Sequence, residues 1–259
     1  MPAHHDQSER QPPLKVREVQ AKSILSASQI YPYVINPYVG CQHACSYCYA
    51  RYMKRFTGHS EPWGSFVDVK INAAQLLGKE LGKKKKATVW ISGVCDPYQP
   101  LEAKYQLTRQ CLQLLIDNDW PVVVQTRSPL VLRDLDILGK GKEVEVGFSV
   151  PTADDRIREL FEPGAPPIAA RLRALAELHV SRIRTYAMIA PLLPGAENLA
   201  EMLAGSVDYI LVDRMNYHYA DHLYRKFHLE QQRSEAYFEW ASGKISTDCG
   251  RLGIKCTIV

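Results

Sequence analysis

The sequence predicts an α/β fold: a parallel βα barrel of the TIM-like kind, partial or complete, with six to seven βα units. Short β-rich runs alternate along it with amphipathic helical stretches, which is the rhythm of parallel βα units. The unusual polar residues fall at the ends of those runs, where barrel enzymes gather their active sites. No G-x-G-x-x-G follows any run, so a doubly wound sheet carrying a dinucleotide is the poorer fit.

Taken in order, residues 33–39 form the first expected strand and lead into a cysteine-rich loop. The second spans 87–93, the third 121–126, the fourth 143–150, the fifth 182–190 and the sixth 207–212. A last apolar run, 254–259, adds an edge strand or a cap. Between them, Leu107, Cys111, Leu114 and Leu115 recur at helical spacing, which makes one apolar face and puts Cys111 in the core. Ile168, Leu172, Leu175 and Leu178 repeat that pattern behind Pro166-Pro167, a favourable helix start. A shorter helix over 197–204 is closed by Gly205. Residues 221–241 are helical in composition but only weakly periodic.

Composition sets the frame. At 259 residues and 29.3 kDa, with 46% hydrophobic content, the chain is long enough for one large core. Residues 1–15 read as a flexible polar tail. Residues 16–259 read as one barrel domain with a helical and strand extension from about 216. The start lacks the basic and apolar segments of a signal peptide, and no apolar run reaches membrane-spanning length. A cytoplasmic, reducing location is the expectation for its seven cysteines. The net charge of +4 neither demands nor excludes a nucleic-acid partner.

The sharpest feature is Cys41-Gln-His-Ala-Cys45-Ser-Tyr-Cys48. Three thiolates are one short of the four that a closed cubane cluster or a structural zinc asks for. One loop can wrap three corners of a small iron-sulfur cluster and leave one iron open. The same cysteines also allow buried thiols, a redox group, or a zinc knuckle completed by His43. The later cysteines, Cys95, Cys111, Cys249 and Cys256, form no tight pair with the spacing of a zinc site.

With Tyr47 just before its third cysteine, this loop resembles the signature of the radical S-adenosylmethionine (radical SAM) superfamily. Asn36-Pro-Tyr-Val-Gly40, Tyr49-Ala-Arg51, Asp96-Pro-Tyr-Gln-Pro-Leu-Glu102, Pro163-Gly164 and Ala190-Pro-Leu-Leu-Pro-Gly195 resemble the spore photoproduct lyase-like branch. The landmarks span roughly residues 16–215, and the cysteine loop is the most specific of them.

The resemblance implies a [4Fe-4S] cluster on Cys41, Cys45 and Cys48, with S-adenosylmethionine filling the open iron position. Reductive cleavage would give a 5'-deoxyadenosyl radical that abstracts hydrogen from a substrate. It places Tyr47 by the adenine, Ser92-Gly93-Val94 by the methionine amino group with Asp96 beside them, and Ser149 by the nucleoside. Gly93 would let backbone approach the ligand closely. Cys95 corresponds to a loop that carries a hydrogen-donating cysteine in the branch, offset in register, and Tyr49 is a candidate radical relay. The electron donor would be a flavodoxin or a ferredoxin.

Charge adds further candidates. Arg127, Arg184 and Arg214 could grip a carboxylate or phosphate with a bidentate fork. Lys83-Lys84-Lys85-Lys86 reads as a solvated helix end, or, with Arg51, Lys54 and Arg55, as a phosphate grip. Tyr52, Phe56, Trp63 and Tyr98 could stack on bases. Three readings follow: a radical SAM enzyme of unassigned substrate, a lyase-like enzyme repairing nucleic acid, or a non-catalytic metal-binding or redox-sensing module.

Overall fold

A computed structural model describes residues 13–259. The tail expected over 1–15 lies outside the described residues as far as residue 12, and Lys15 already opens strand β1 (Lys15–Val19). β2 (Ser26–Ala27) pairs antiparallel with β3 (Tyr33–Ile35). The run expected over 33–39 is divided, because Pro37 supplies no backbone N–H and biases Asn36 toward a turn. Beyond it β4 (Tyr38–Val39) leaves the main sheet and pairs antiparallel with β5 (Phe66–Lys70), which pairs parallel with β1. This small three-stranded sheet, ordered β1-β5-β4, was not foreseen.

The main sheet holds the expected strands in sequence: β6 (Val89–Ile91), β7 (Val122–Thr126), β8 (Val144–Ser149), β9 (Arg184–Ile189), β10 (Tyr209–Val212) and β11 (Lys255–Ile258). Its order is β11-β10-β9-β8-β7-β6-β3-β2, with every neighbour parallel except β2. Among the described residues β2 and β11 do not pair, so the sheet is an open, partial barrel.

Helices fill the crossovers: α1 (Ala73–Leu81), α2 (Glu102–Tyr105), α3 (Leu107–Asp117), α4 (Leu135–Leu138), α5 (Asp155–Phe161), α6 (Ile168–Val180), α7 (Leu199–Leu203), α8 (Asp221–Lys226) and α9 (Glu235–Leu252). α3 buries Leu107, Cys111 and Leu115 as their spacing predicts, but leaves Leu114 half-buried and buries Leu112 in its place. Each such leucine contributes about 1.5–3 kcal/mol of burial. α6 turns Ile168, Ala174, Leu175 and Leu178 inward, and with them an arginine, Arg171.

The helix expected over 221–241 is two helices. α8 stops after Lys226, and Ser234 starts α9 by accepting a hydrogen bond from Tyr237 N. Two differently directed helices explain why one period did not fit the stretch. α9 then carries β11 back to the sheet edge beside β10.

Candidate active site

All parallel strands point the same way, so the loops after β3, β6, β7, β8 and β10 share one end of the barrel. There a cavity of about 480 Å³ is lined by Cys41, Cys45, Tyr47, Cys48 and Tyr49 from the first loop and by Ser92, Gly93, Cys95 and Asp96 from the second. Arg127, Ser149, Asp213 and Arg214 close the ring from the later strands. Every residue expected at the cluster and cofactor thus meets in one place.

The cysteine loop is held by the segment that follows β6. Gln99 Nε2 donates to Gly40 O (3.2 Å) while Gln99 Oε1 accepts from Gln42 N (3.1 Å). Gln42 Oε1 in turn accepts from Leu101 N (2.8 Å). Fully buried Glu102 accepts from Tyr38 Oη, Thr108 N and Arg133 Nη2. On its other side the loop touches Gly164, where a Cβ would sit 2.2 Å from Gln42 O, so only glycine fits.

His43, the candidate fourth zinc ligand, is buried, and both its ring nitrogens face protein oxygens. Its Nδ1 lies 3.0 Å from Gly164 O and its Nε2 3.3 Å from Asp96 Oδ2. Asp96 lines the cavity, but both its oxygens serve the protein. Oδ1 accepts from Thr126 Oγ1 (2.6 Å) and Tyr98 N (2.9 Å), and Oδ2 from Arg127 N (2.7 Å). Burial pushes this carboxyl up, yet His43, Thr126 and Arg127 outweigh it and hold it at about 2.

Ser92 takes φ 66°, a left-handed conformation that a serine adopts only under constraint. Such strain is a mark of a functional turn. Gly93 backs onto the indole of Trp90, where a Cβ would lie 2.9 Å from Trp90 Cζ3. Cys95 Sγ donates to Tyr38 O (3.4 Å) and Ser92 Oγ (3.6 Å), and burial pushes its thiol up to about 12. Tyr49 Oη donates to Gly93 O across the mouth. Ser149 Oγ accepts from Gln125 Nε2 (3.1 Å) at the end of β8.

Beneath the cysteines lies a group the sequence did not reveal. Glu162, fully buried, accepts from Tyr47 Oη and from Arg127 Nε (2.6 Å), and Arg171 Nη2 lies 2.6 Å from its other oxygen. Arg171 also donates to Ser149 O (2.9 Å) and Pro166 O (2.9 Å). Burial opposes the Glu162 charge, but Arg171, Arg127 and Tyr47 hold its carboxyl at about 2. The nearest signal in the sequence was Pro163-Gly164, one residue on.

Other expectations are corrected by position. Arg184 opens β9 at the opposite end of the barrel, 64% exposed and paired with Glu145. Lys83-Lys84-Lys85-Lys86 precede β6 at that same far end, so they form no common footprint with Arg51, Lys54 and Arg55. Tyr98 is buried and donates to Asp134 (3.0 Å), and Trp63 packs edge-on against Phe66, whereas Tyr52 and Phe56 are exposed.

A family model described as the radical SAM superfamily matches residues 35–203. The chain belongs to the radical SAM superfamily. This radical SAM protein is 32% identical over 232 residues to an uncharacterized protein of Methanocaldococcus jannaschii, a match covering 86% of each chain. It is 26% identical over 162 residues to the radical SAM Nα-GlyT isomerase of Pseudomonas phage M6, covering 62% of this chain and 33% of that one. A spore photoproduct lyase structure with dinucleoside spore photoproduct superposes with TM-score 0.69 at 12% identity, over 94% of this chain and 81% of the lyase. At that identity the likeness establishes a shared fold.

Members of the superfamily characteristically bind S-adenosylmethionine and a [4Fe-4S] cluster. The donor set of this radical SAM chain fits such a cluster. Among the described residues, no three His, Cys, Asp or Glu side chains gather closely enough to hold one metal ion. Three thiols around a cavity instead offer one sulfur to each of three cluster corners. Among the described residues no helix is long and apolar enough to cross a membrane.

Proposed function

We propose that this radical SAM protein is an enzyme that abstracts hydrogen from its substrate, with Cys41, Cys45 and Cys48 holding a [4Fe-4S] cluster. When bound, the cluster supplies the electron that cleaves S-adenosylmethionine to methionine and a 5'-deoxyadenosyl radical. The observation carrying this reading is the convergence of the three cysteines with Ser92, Arg127 and Ser149 on one cavity at the barrel mouth.

The chain's own groups have separable tasks. Burial pushes Cys45 up to about 12 and raises Cys41 and Cys48, so iron must displace three protons as it loads. Arg127 gives Nε to Glu162 and Nη2 to Tyr47, which leaves Nη1 without a protein partner among the described residues. That free edge suits the methionine carboxylate. Ser92-Gly93 and Ser149 take the amino group and the nucleoside, and Tyr47 shields the cluster side. Asp96 acts by positioning Arg127 and the turn after β6. In this reading Cys95 returns a hydrogen atom to a product radical and Tyr49, bonded to Gly93, relays one; the support is that both line the cavity. Exposed Arg55, close after Cys48, suits an acidic reductant such as a flavodoxin or ferredoxin, and the free cysteines suit a reducing cytoplasm.

Anaerobic reconstitution tests the reading. About four irons per chain are expected, with 5'-deoxyadenosine formed under reducing conditions, and both lost when Cys41, Cys45 or Cys48 becomes alanine. Stoichiometric zinc and no 5'-deoxyadenosine would instead favour a metal-binding module. Deuterium transfer from a labelled substrate into 5'-deoxyadenosine then identifies molecule and carbon together.

A further inference from the structure

A second cavity opens at the end of the barrel opposite the cysteines. It measures about 800 Å³, more than the cavity at the mouth, and is lined by the starts of β7, β8, β9 and β10 and the turns that lead into them. Tyr31 is the one residue that borders both. Elsewhere the barrel is filled between them: Tyr186 lines the mouth cavity and Tyr209 the far one, and their rings stack with centroids 5.1 Å apart and planes 9° from parallel. A Cβ on Gly147 would stand 2.0 Å from Tyr186 Cζ, so the glycine admits this plug.

The far cavity gathers cations. Lys142, Arg182 and Arg184 line it against two carboxylates, Glu143 and Glu145. Glu145 is already engaged, accepting from Tyr209 Oη and facing Arg184 Nε at 3.2 Å. Arg184 lies over the Tyr209 ring at 5.5 Å, and its terminal nitrogens have no hydrogen-bond partner among the described residues. Lys142 pairs with Asp119 at 2.9 Å, and Lys86, last of the four-lysine run, also holds that carboxyl down. The lysine run therefore borders the same end, and cations outnumber carboxylates there.

Arg182 is also strained. It takes φ 61° directly after Ser181, the cap of α6, at the place where a helix end favours glycine. α9 ends in that way, with Gly253 at φ 71°. Arg182 N donates to His179 O (2.9 Å), but its guanidinium has neither an ion pair nor a hydrogen bond among the described residues. Nothing within the fold offsets the cost of an arginine at this position. Strain that the fold does not explain points to a functional side chain. Two guanidinium forks with free N–H edges, beside an ammonium, match the oxygens of two linked phosphates. The volume lies within the range of small-molecule sites, about 300–1,000 Å³.

We propose that the far end of the barrel is a second ligand site, in which Arg182, Arg184 and Lys142 hold the diphosphate group of a small molecule. It stands apart from the enzyme reading above and does not depend on it.

Isothermal titration calorimetry of the reconstituted protein with inorganic phosphate, inorganic pyrophosphate and ADP tests the site. Pyrophosphate should bind at least about 10-fold more tightly than phosphate, because both forks engage it. ADP binding no tighter than pyrophosphate shows that a free diphosphate suffices, and tighter ADP identifies a nucleotide. Arg182→Gly with Arg184→Gln removes both forks, and pyrophosphate affinity should fall at least about 10-fold. Glycine relieves the strained turn, so Arg182→Gly alone should hold or raise the melting temperature while it weakens binding, a pairing that a merely structural arginine would not give. Arg214→Gln, at the mouth, should bind pyrophosphate as the parent does. Absence of binding at about 1 mM pyrophosphate and ADP overturns the site, as does equal affinity for phosphate and pyrophosphate or a double variant that binds normally. A loss in Arg214→Gln as large as in the double variant would put the anion at the mouth and overturn it too.

Discussion

Glu162→Gln is the most demanding single change for the site. Glu162 and Arg171 are both fully buried, 2.6 Å apart, and Glu162 also carries Arg127 and Tyr47. Glutamine keeps the volume of the side chain but removes its charge, and Arg171 is then an uncompensated cation in the interior. Breaking a buried pair in this way costs about 3–5 kcal/mol. At about 2–4 °C per kcal/mol for a chain of this size, the melting temperature should drop by about 6–20 °C. Removing both charges, Glu162→Gln with Arg171→Met, should recover about 2 kcal/mol of that loss, because the fully buried Arg171 cation is gone and only the partly exposed Arg127 loses its carboxylate. Urea unfolding followed by circular dichroism measures all three proteins, provided the slope with denaturant is unchanged. A single variant within about 1 kcal/mol of the parent, or a double variant whose losses simply add, would refute the assignment of Glu162 as the hub.

Gly164→Ala places a methyl group 2.2 Å from Gln42 O, and backbone must move to admit it. The expected loss is about 1–3 kcal/mol, with reduced iron per chain after reconstitution because the cysteine loop shifts; normal iron content would show that the contact does not set the loop. Acid should loosen the junction between the loop after β10 and α8 through Asp221, which burial pushes up but which His218 and Arg233 hold below its ordinary 3.8. A depressed carboxyl stabilises the fold above its unfolded value, so this contribution is present above pH 3.8 and is lost as pH falls below it. Asp221→Asn should flatten the fall in urea midpoint between about pH 5 and about pH 3, and an unchanged slope would exclude the carboxylate from that role.

The parallel strands were legible because each is a compact β-rich run buried in a sheet, and the run at 121–126 differs from its observed strand by one residue. β5 was not, although Phe66, Val67 and Val69 are fully buried. Asp68 interrupts its apolar run, and the interior accepts that carboxylate only because Arg17 and His59 reach it from elsewhere in the chain. The cysteines could be read because Cys41, Cys45 and Cys48 fall within one eight-residue loop. The Glu162 hub could not, since Tyr47, Arg127, Glu162 and Arg171 lie far apart along the chain and leave no local period. Arg184 was misplaced for a simpler reason: it stands at the start of its strand, and the start of a parallel strand faces the opposite end of the barrel from its catalytic mouth. Tyr217 and Tyr219 did carry a signal, two aromatic residues at the two-residue spacing that puts neighbours on one side of extended chain.

The two halves of the mouth differ in how they are held. Glu162 ties the cysteine loop through Tyr47, the end of β7 through Arg127 and, by way of Arg171, the last carbonyl of β8. Three strand ends are thereby fixed to one buried charge, so the floor that would hold cluster and cofactor is positioned by groups that solvent does not reach. The tyrosines at the rim are held differently: Tyr49 Oη donates to Gly93 O, and the Tyr217 and Tyr219 rings pack on Tyr49 and Arg51. Radical chemistry needs a reacting carbon placed within a fraction of an ångström, and a floor fixed from beneath by buried charge supplies such placement. That need accounts for the buried ion pairs gathered under the cysteines, while the exposed tyrosine rings stay at the rim.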